Sequence, residues 1–540
     1  MKKISIIASL FLAFTSLFAQ TKAPENWYNL DYKTSKVNGV ATERTYEELL
    51  KGKKSTTIIV GVIDSGVDFN HEDLKDVMWT NEKEIPGNGI DDDKNGYIDD
   101  IHGWNFLGGK DGKNVDKETL ELTRLYRELK PKYDGKTEKD IASKDKKEFK
   151  LYQQIKLDYE AEYNEAQQNS VQIAFVQQLI ENMNLKIKDQ LKIDKVTAED
   201  LARFKPEDAK QKQFIPAIKQ MMAQANDMDE LLEKMEEGVE HYDEQLKFNL
   251  NLEFDPRSIV GDDYKNQTEK YYGNADCNGP SSLHGTHVAG IIAAARTNNL
   301  GTKGVADNVK IMAIRAVPNG DERDKDIANA IYYAVDNGAS IINMSFGKKY
   351  SYNKKIVDDA IKYAESKDVL IIHAAGNEAL NIDQVQHFPC KKYESGKDAK
   401  NFVDVGALSW RDSAFVPAVF SNYGKKTVDV FAPGVDIYST KSGGGYINES
   451  GTSMACPVTA GVAAVLRSYY PYLSAKDIKK ILQKSVSKDY KKLQVMRPGA
   501  KDEKDKVKFS ELSNTGGMVN LYNAVQMAEK IKPRKIRAKF

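Results

Sequence analysis

The sequence is short of three things, and each shortage excludes something. It has three cysteines in 540 residues: Cys277, Cys390 and Cys456. A chain of this length buries enough apolar surface to fold without disulfides, and an odd count leaves at least one thiol over. It has no excess of either charge, because 79 Lys and Arg balance 79 Asp and Glu. A globally basic surface is therefore excluded, and no nucleic-acid partner is expected. After residue 18 it has no apolar run long enough to cross a bilayer, which takes about 20 residues. The early run Ile4–Phe18 follows Met1-Lys2-Lys3 and precedes Ala19-Gln20. A short basic start, a short apolar stretch and a small residue make the pattern of a secretory signal peptide, here residues 1–20. The protein is expected to be exported, secreted or periplasmic, with no membrane span once the signal is removed. No cysteine follows the cleavage region, which speaks against a lipid anchor.

Glycine and proline are scarce between Lys113 and Glu253, where only Gly135, Gly238, Pro131, Pro206 and Pro216 occur. Apolar residues there recur at helical spacing: Ile173, Val176, Ile180, Met183 and Ile187, then Ile218, Met221, Ala225, Met228, Leu232, Met235, Val239, Tyr242 and Leu246. The second series advances by threes and fours, a heptad seam. It predicts one helix over Ile218–Leu246, roughly 40 Å long at 1.5 Å per residue. Residues 113–254 are thus expected to be an inserted antiparallel helical hairpin or small bundle. A lid, an intramolecular inhibitor and a dimerisation arm all fit this pattern, and the oligomeric state stays open.

On either side the pattern changes. Short β-branched runs occur at Thr57–Ile63, Val309–Val317, Ser340–Phe346, Val369–Ala375, Phe402–Leu408 and Val428–Ala432. Helical patterns at His284–Ala295, Asp326–Asn337 and Ile356–Lys367 separate some of them. Strands buried on both faces and alternating with helices predict an α/β fold with a parallel sheet. Function in such sheets collects at the carboxyl ends of the strands. The expected organisation is a signal peptide at 1–20, a polar N-terminal segment at 21–54, a discontinuous sheet domain at 55–112 and 255–529, and a basic tail at 530–540.

Four short motifs carry chemistry. Val62-Ile63-Asp64-Ser65-Gly66 ends the first buried run. His284-Gly285-Thr286-His287-Val288-Ala289-Gly290 opens a small-residue helix. Ala375-Gly376-Asn377 ends another buried run. Gly451-Thr452-Ser453-Met454-Ala455, followed by Cys456 and Pro457, opens a long apolar run. A serine hydroxyl is a weak nucleophile and needs a base, which in turn needs an orienting acid. A fifth motif, Asp91-Asp92-Asp93-Lys94-Asn95-Gly96, follows the first part of a calcium loop, with oxygen ligands at alternate positions and glycine at the sharp turn. Asp91, Asp93, Asn95, Tyr97 and Asp99 are the candidate ligands of a structural calcium. The usual acid at the twelfth position is missing, since His102 stands there.

In their order Asp, His, Asn, Ser these motifs resemble those of the subtilisin-like serine proteases. The resemblance implies a three-layer fold with a central parallel sheet, and a serine endopeptidase acting on polypeptides through an acyl-enzyme. It implies Ser453 as nucleophile, His284 as base, Asp64 as the acid that orients it, and Asn377 as oxyanion donor beside the Ser453 N–H. It also implies that Ser345, Phe346 and Gly347, with Ala374, Ala375 and Gly376, flank the substrate. Cys390, after Phe388-Pro389, is expected at the floor of the first specificity pocket. Cys456 is expected as buried packing, and His71 and His287 as structural. The stretch 21–54 is shorter than the folded propeptide of many exported relatives. The rival reading is a catalytically silent binding or assembly protein on a protease fold that works through its helical insertion.

Overall fold

A computed structural model describes residues 23–533 apart from 412 and 503. The signal peptide expected at 1–20 and the tail beyond 533 lie outside the described residues. The described residues form two compact units, one of residues 122–254 and one of the described residues in 23–121 and 255–533.

In the first unit, α1 (Glu121–Tyr133) precedes a 46-residue helix, α2 (Lys146–Leu191), followed by α3 (Ala209–Met221) and α4 (Met228–Glu244). Ser170 bonds Asp243 while Lys188, further along α2, bonds Asp229, so α2 and α4 run antiparallel. Ile180, Met183 and Ile187 pack with Ile218, Met222, Met228, Leu231 and Met235. The single helix expected over Ile218–Leu246 is instead two. The break falls at Asn226-Asp227, where the Asp227 carboxylate caps α4 by accepting from Glu230 N–H at 2.9 Å. An aspartate with an acid three residues on is a helix start, and it outweighed the uninterrupted heptad seam.

The second unit is built on a seven-stranded sheet in the order β2-β3-β1-β4-β5-β6-β7, with every pairing parallel. The strands are β1 (Ile58–Asp64), β2 (Gly103–Asn105), β3 (Val309–Arg315), β4 (Ile341–Met344), β5 (Leu370–Ala374), β6 (Phe402–Leu408) and β7 (Val430–Pro433). A hairpin of β8 (Ile437–Thr440) and β9 (Tyr446–Glu449) follows. The principal helices are α5 (Leu283–Ala293), α6 (Asp324–Asp336), α7 (Lys354–Ser366), α8 (Thr452–Tyr469), α9 (Ala475–Lys484) and α10 (Leu521–Ala528).

Side chains alternate across a strand, and here they sort two cores. Val60, Val62, Ile311 and Ile372 pack with α5 and α8. Ile63, Met312, Ile314 and Ile371 pack with α6 and α7 on the opposite face. That makes three layers, the expected α/β architecture. β2 and the β8–β9 hairpin were not legible in the sequence, because three- and four-residue strands carry too little periodicity.

Two boundaries differ from expectation. Residues 113–121 belong with the sheet, where Glu118 pairs with Arg323 and Glu121 with Lys348, all four buried. A buried charge that lacks its partner is expensive, so these pairs fix where the chain leaves the sheet. The polar segment 21–54 is also part of the core: Trp27 and Tyr28 are fully buried, Trp27 Nε1 donates to Asp436 O at 3.1 Å, and Leu521 N–H donates to Val40 O at 2.8 Å. No helix among the described residues is long and apolar enough to cross a membrane.

Candidate active site

β1 lies third in the sheet and ends at Asp64, which is buried. Its Oδ1 accepts from Ser65 N–H and from His284 Nδ1, each at 2.7 Å. His284 is the second residue of α5, and Gly285 explains how it comes so near. A Cβ on Gly285 would stand 2.0 Å from Gly66 O and 3.1 Å from Asp64 Cβ, so only glycine lets the start of α5 approach the end of β1. The His284 ring remains 41% exposed. Burial pulls its pKa down, but the Asp64 charge and hydrogen bond outweigh that and hold it above the ordinary histidine value.

Ser453 stands in the first turn of α8, a helix apolar nearly all round that runs through the core. Pro457 has no N–H, so the Ser453 carbonyl lacks its intrahelical donor. Ser345 Oγ supplies one, donating to Ser453 O at 2.9 Å. In return Ser453 Oγ donates to Ser345 O at 3.0 Å. The serine hydroxyl is thus held on the segment that follows β4, rather than on His284. The β4 pairing stops at Met344, which leaves residues 345–347 free of the sheet, with Gly347 exposed.

Asn377 follows β5 through Gly376, whose φ of +100° suits glycine. Asn377 Oδ1 accepts from Thr452 N–H at 2.8 Å and from Thr452 Oγ1 at 3.0 Å. A backbone N–H can only donate, so the amide cannot be flipped and Nδ2 must face the other way. It faces Ser453. A single point, where a Cβ on Gly451 would lie, is 3.5 Å from Ser453 N and 3.7 Å from Asn377 Nδ2. Both nitrogens therefore lie near one point at the N-terminus of α8, where the helix end favours negative charge.

The remaining expected residues fall as follows. Ala374 and Ala375 are buried, and the Ala375 N–H bonds Val405 O, so this segment is fixed to β6. Phe346 packs partly against the α6–α7 core. The side chain close to both Gly347 and Gly376 is that of His387, while Cys390 lines a recess with Glu322, Asp324, Ser351, Lys354 and Phe388. The clue lay three residues upstream, in the histidine before Phe388-Pro389. Cys456 is buried, 3.1 Å from Asn343 Oδ1 and 3.2 Å from Ile372 O, and burial pushes its thiol pKa up, away from nucleophilic character. His287 Nε2 reaches the carbonyls of Ile437 and Ile447, and burial lowers its pKa to about 4. His71 Nε2 reaches Gly445 O. His71 thus ties the loop after β1, and His287 ties α5, to the β8–β9 hairpin.

In the acidic loop, carboxylate oxygens of Glu84, Asp91 and Asp93 lie within 4.8 Å of one another. Three hard oxygen donors at that spacing fit a calcium ion. Glu84 lay outside the motif and was not legible. Asp99 points elsewhere: its oxygens accept from the N–H groups of Gly87, Asn88 and Gly89. Asn95 Nδ2 donates to Asp100 Oδ2, and the Tyr97 ring is buried against Trp104 and Tyr333.

A profile of the subtilase family matches residues 55–511. A thermophilic serine proteinase of Bacillus sp. (strain AK1) is 45% identical over 186 residues, 34% of this chain and 42% of that protein. Subtilisin DY of Bacillus licheniformis is 36% identical over 215 residues, 40% of this chain and 72% of that protein. A solved structure of proteases from Pseudoalteromonas arctica PAMC 21717 aligns at 28% identity with a TM-score of 0.37, over 45% of this chain and 70% of that chain.

Proposed function

Because this chain belongs to the subtilase family, we propose that it is an exported serine endopeptidase that hydrolyses polypeptides through an acyl-enzyme. What carries the reading is the 2.7 Å Asp64–His284 pair, in a chain whose Ser453 N and Asn377 Nδ2 lie within 3.5 and 3.7 Å of one point at the start of α8.

The substrate backbone pairs with the free edge at Ser345–Gly347 by strand addition. Ser453 Oγ turns from Ser345 O to His284 Nε2 as substrate enters, since such bonds tighten in the complex. His284 takes the proton as Oγ attacks the scissile carbonyl. Asp64, on Nδ1, fixes the tautomer that leaves Nε2 free to accept, and its charge stabilises the imidazolium. Ser453 N–H and Asn377 Nδ2 receive the oxyanion. His284 then gives the proton to the leaving amine, and water repeats the sequence on the acyl-enzyme.

Glu84, Asp91 and Asp93 would hold a structural calcium, which supplies positive charge that ties this loop together. Export rests on the basic and apolar start of the sequence. The test is cleavage of a peptide library by purified protein, with Ser453→Ala as control. Cleavage by the parent and none by the variant supports the proposal; equal profiles refute it.

A further inference from the structure

On the endopeptidase reading the first specificity pocket is the slot between Gly347 and Gly376, and a side chain of this protein stands in it. A Cβ on Gly347 would lie 2.2 Å from His387 Cε1 and 2.7 Å from His387 Nε2. A Cβ on Gly376 would lie 3.0 Å from the same Nε2. The imidazole therefore stands between the two glycines, in the space that a bound side chain would enter.

The ring is held there from several sides. Its neighbour Phe388 makes two backbone hydrogen bonds with Lys348, the residue after Gly347, at 2.8 and 2.9 Å. Lys348 is itself buried and paired with Glu121 and Asp324, each at 2.8 Å. Behind the ring lies His373, with ring centres 5.7 Å apart. His373 Nδ1 is fixed on Asp404 Oδ1 at 2.9 Å, and its Nε2 is buried with no partner. Displacing His387 would therefore disturb a clamped strand pair and a buried dyad. Among the described residues, His387 makes no hydrogen bond. Burial, and then the neighbouring His373, lower its pKa to about 4 and keep the ring neutral. Two other groups stand close to a Cβ on Gly376: Asn422 Nδ2 at 2.4 Å and Glu378 Oε2 at 2.7 Å, the carboxylate accepting from that amide. An acidic substrate side chain would meet that carboxylate, and a long basic or aromatic one would meet the ring.

We propose that His387 plugs the first pocket and restricts cleavage to bonds that follow small, uncharged residues, namely Gly, Ala or Ser. This rests on the endopeptidase reading above and names its substrate class. His387 acts by excluding volume, so it is a specificity-determining residue.

The test is kcat/KM on matched peptides that differ only in the residue before the scissile bond. The wild-type protein is expected to favour Ala or Ser over Phe or Leu by about 10²-fold or more, since a pocket that cannot admit the side chain forfeits its binding. His387→Ala should raise kcat/KM for the Phe peptide by about 10- to 100-fold and shrink the Ala-over-Phe preference by the same factor. If His387→Ala does not fold, the wild-type profile alone decides. Efficient wild-type cleavage after Phe or Leu overturns the plug and leaves the endopeptidase reading intact. Absence of any Ser453-dependent cleavage, together with no fluorophosphonate labelling of Ser453, removes the endopeptidase reading and the plug with it.

Discussion

Asn377 has two separable jobs, and one pair of substitutions tests both. Its Oδ1 accepts from the N–H and the hydroxyl of buried Thr452, while its Nδ2 faces the oxyanion cradle. Asn377→Ala removes both functions. Loss of one oxyanion donor costs about 10²–10³ in turnover, a range established on subtilisin itself and carried over here. The stranded Thr452 N–H costs about 1–3 kcal/mol of stability. Asn377→Asp keeps an acceptor for Thr452, so the fold should hold near wild-type stability. It also puts a negative charge about 4 Å from the developing oxyanion, worth about 4 kcal/mol at an effective dielectric of about 20. That is roughly another 10³ in rate. Stability should therefore rank wild type with Asp above Ala, and turnover should rank wild type above Ala above Asp. Urea unfolding and kcat on one peptide substrate measure the two orders. General damage to the site would give one order for both properties. An Asp variant within tenfold of wild-type turnover would refute the assignment of Nδ2 to the cradle.

Other expectations follow from the same geometry. The Asp64 charge holds the His284 pKa above the ordinary value of about 6.5, and catalysis needs His284 neutral. Activity should therefore rise with pH with a midpoint above 6.5. Asp64→Asn removes the strongest opposition to burial, leaving only the weaker Glu449 charge, so the midpoint should move to lower pH while turnover falls about 10⁴-fold; a kcat/KM profile unmoved by the substitution contradicts this. Trp27 is fully buried in the main core, so Trp27→Ala should cost about 3–5 kcal/mol by urea unfolding, and a loss under 1 kcal/mol would detach the N-terminal segment from the fold. Saturating calcium at about 100 times its Kd should add about 2.7 kcal/mol of stability. Chelation should lower Tm in the wild type and leave Glu84→Gln unaffected; equal responses would move the ion elsewhere.

Six of the seven strands of the parallel sheet were legible because each lies in a largely apolar run, and burial on both faces demands that composition; β2 was the exception. Asp64, His284, Asn377 and Ser453 could be singled out because each sits in a short motif that glycine and small residues make distinctive. What sequence hid was spatial. Glu84 comes seven residues before Asp91 and meets it only after the loop folds back. His387 enters the pocket because Phe388 pairs with Lys348, a contact across forty residues. Trp27 and Tyr28 sit in a polar stretch, and only the tertiary fold shows that the core closes over them. The heptad seam misled for the opposite reason: local capping at Asp227 overrode a pattern that looked continuous.

The account turns on Ser453 being a nucleophile activated by His284. The direct measurement is the rate of fluorophosphonate labelling of natively folded protein, with the modified residue located by peptide mass spectrometry. The account predicts one label on Ser453, none in Ser453→Ala, and labelling slowed by orders of magnitude in His284→Ala. A wild-type protein that does not label, or that labels as fast without His284 as with it, would contradict it.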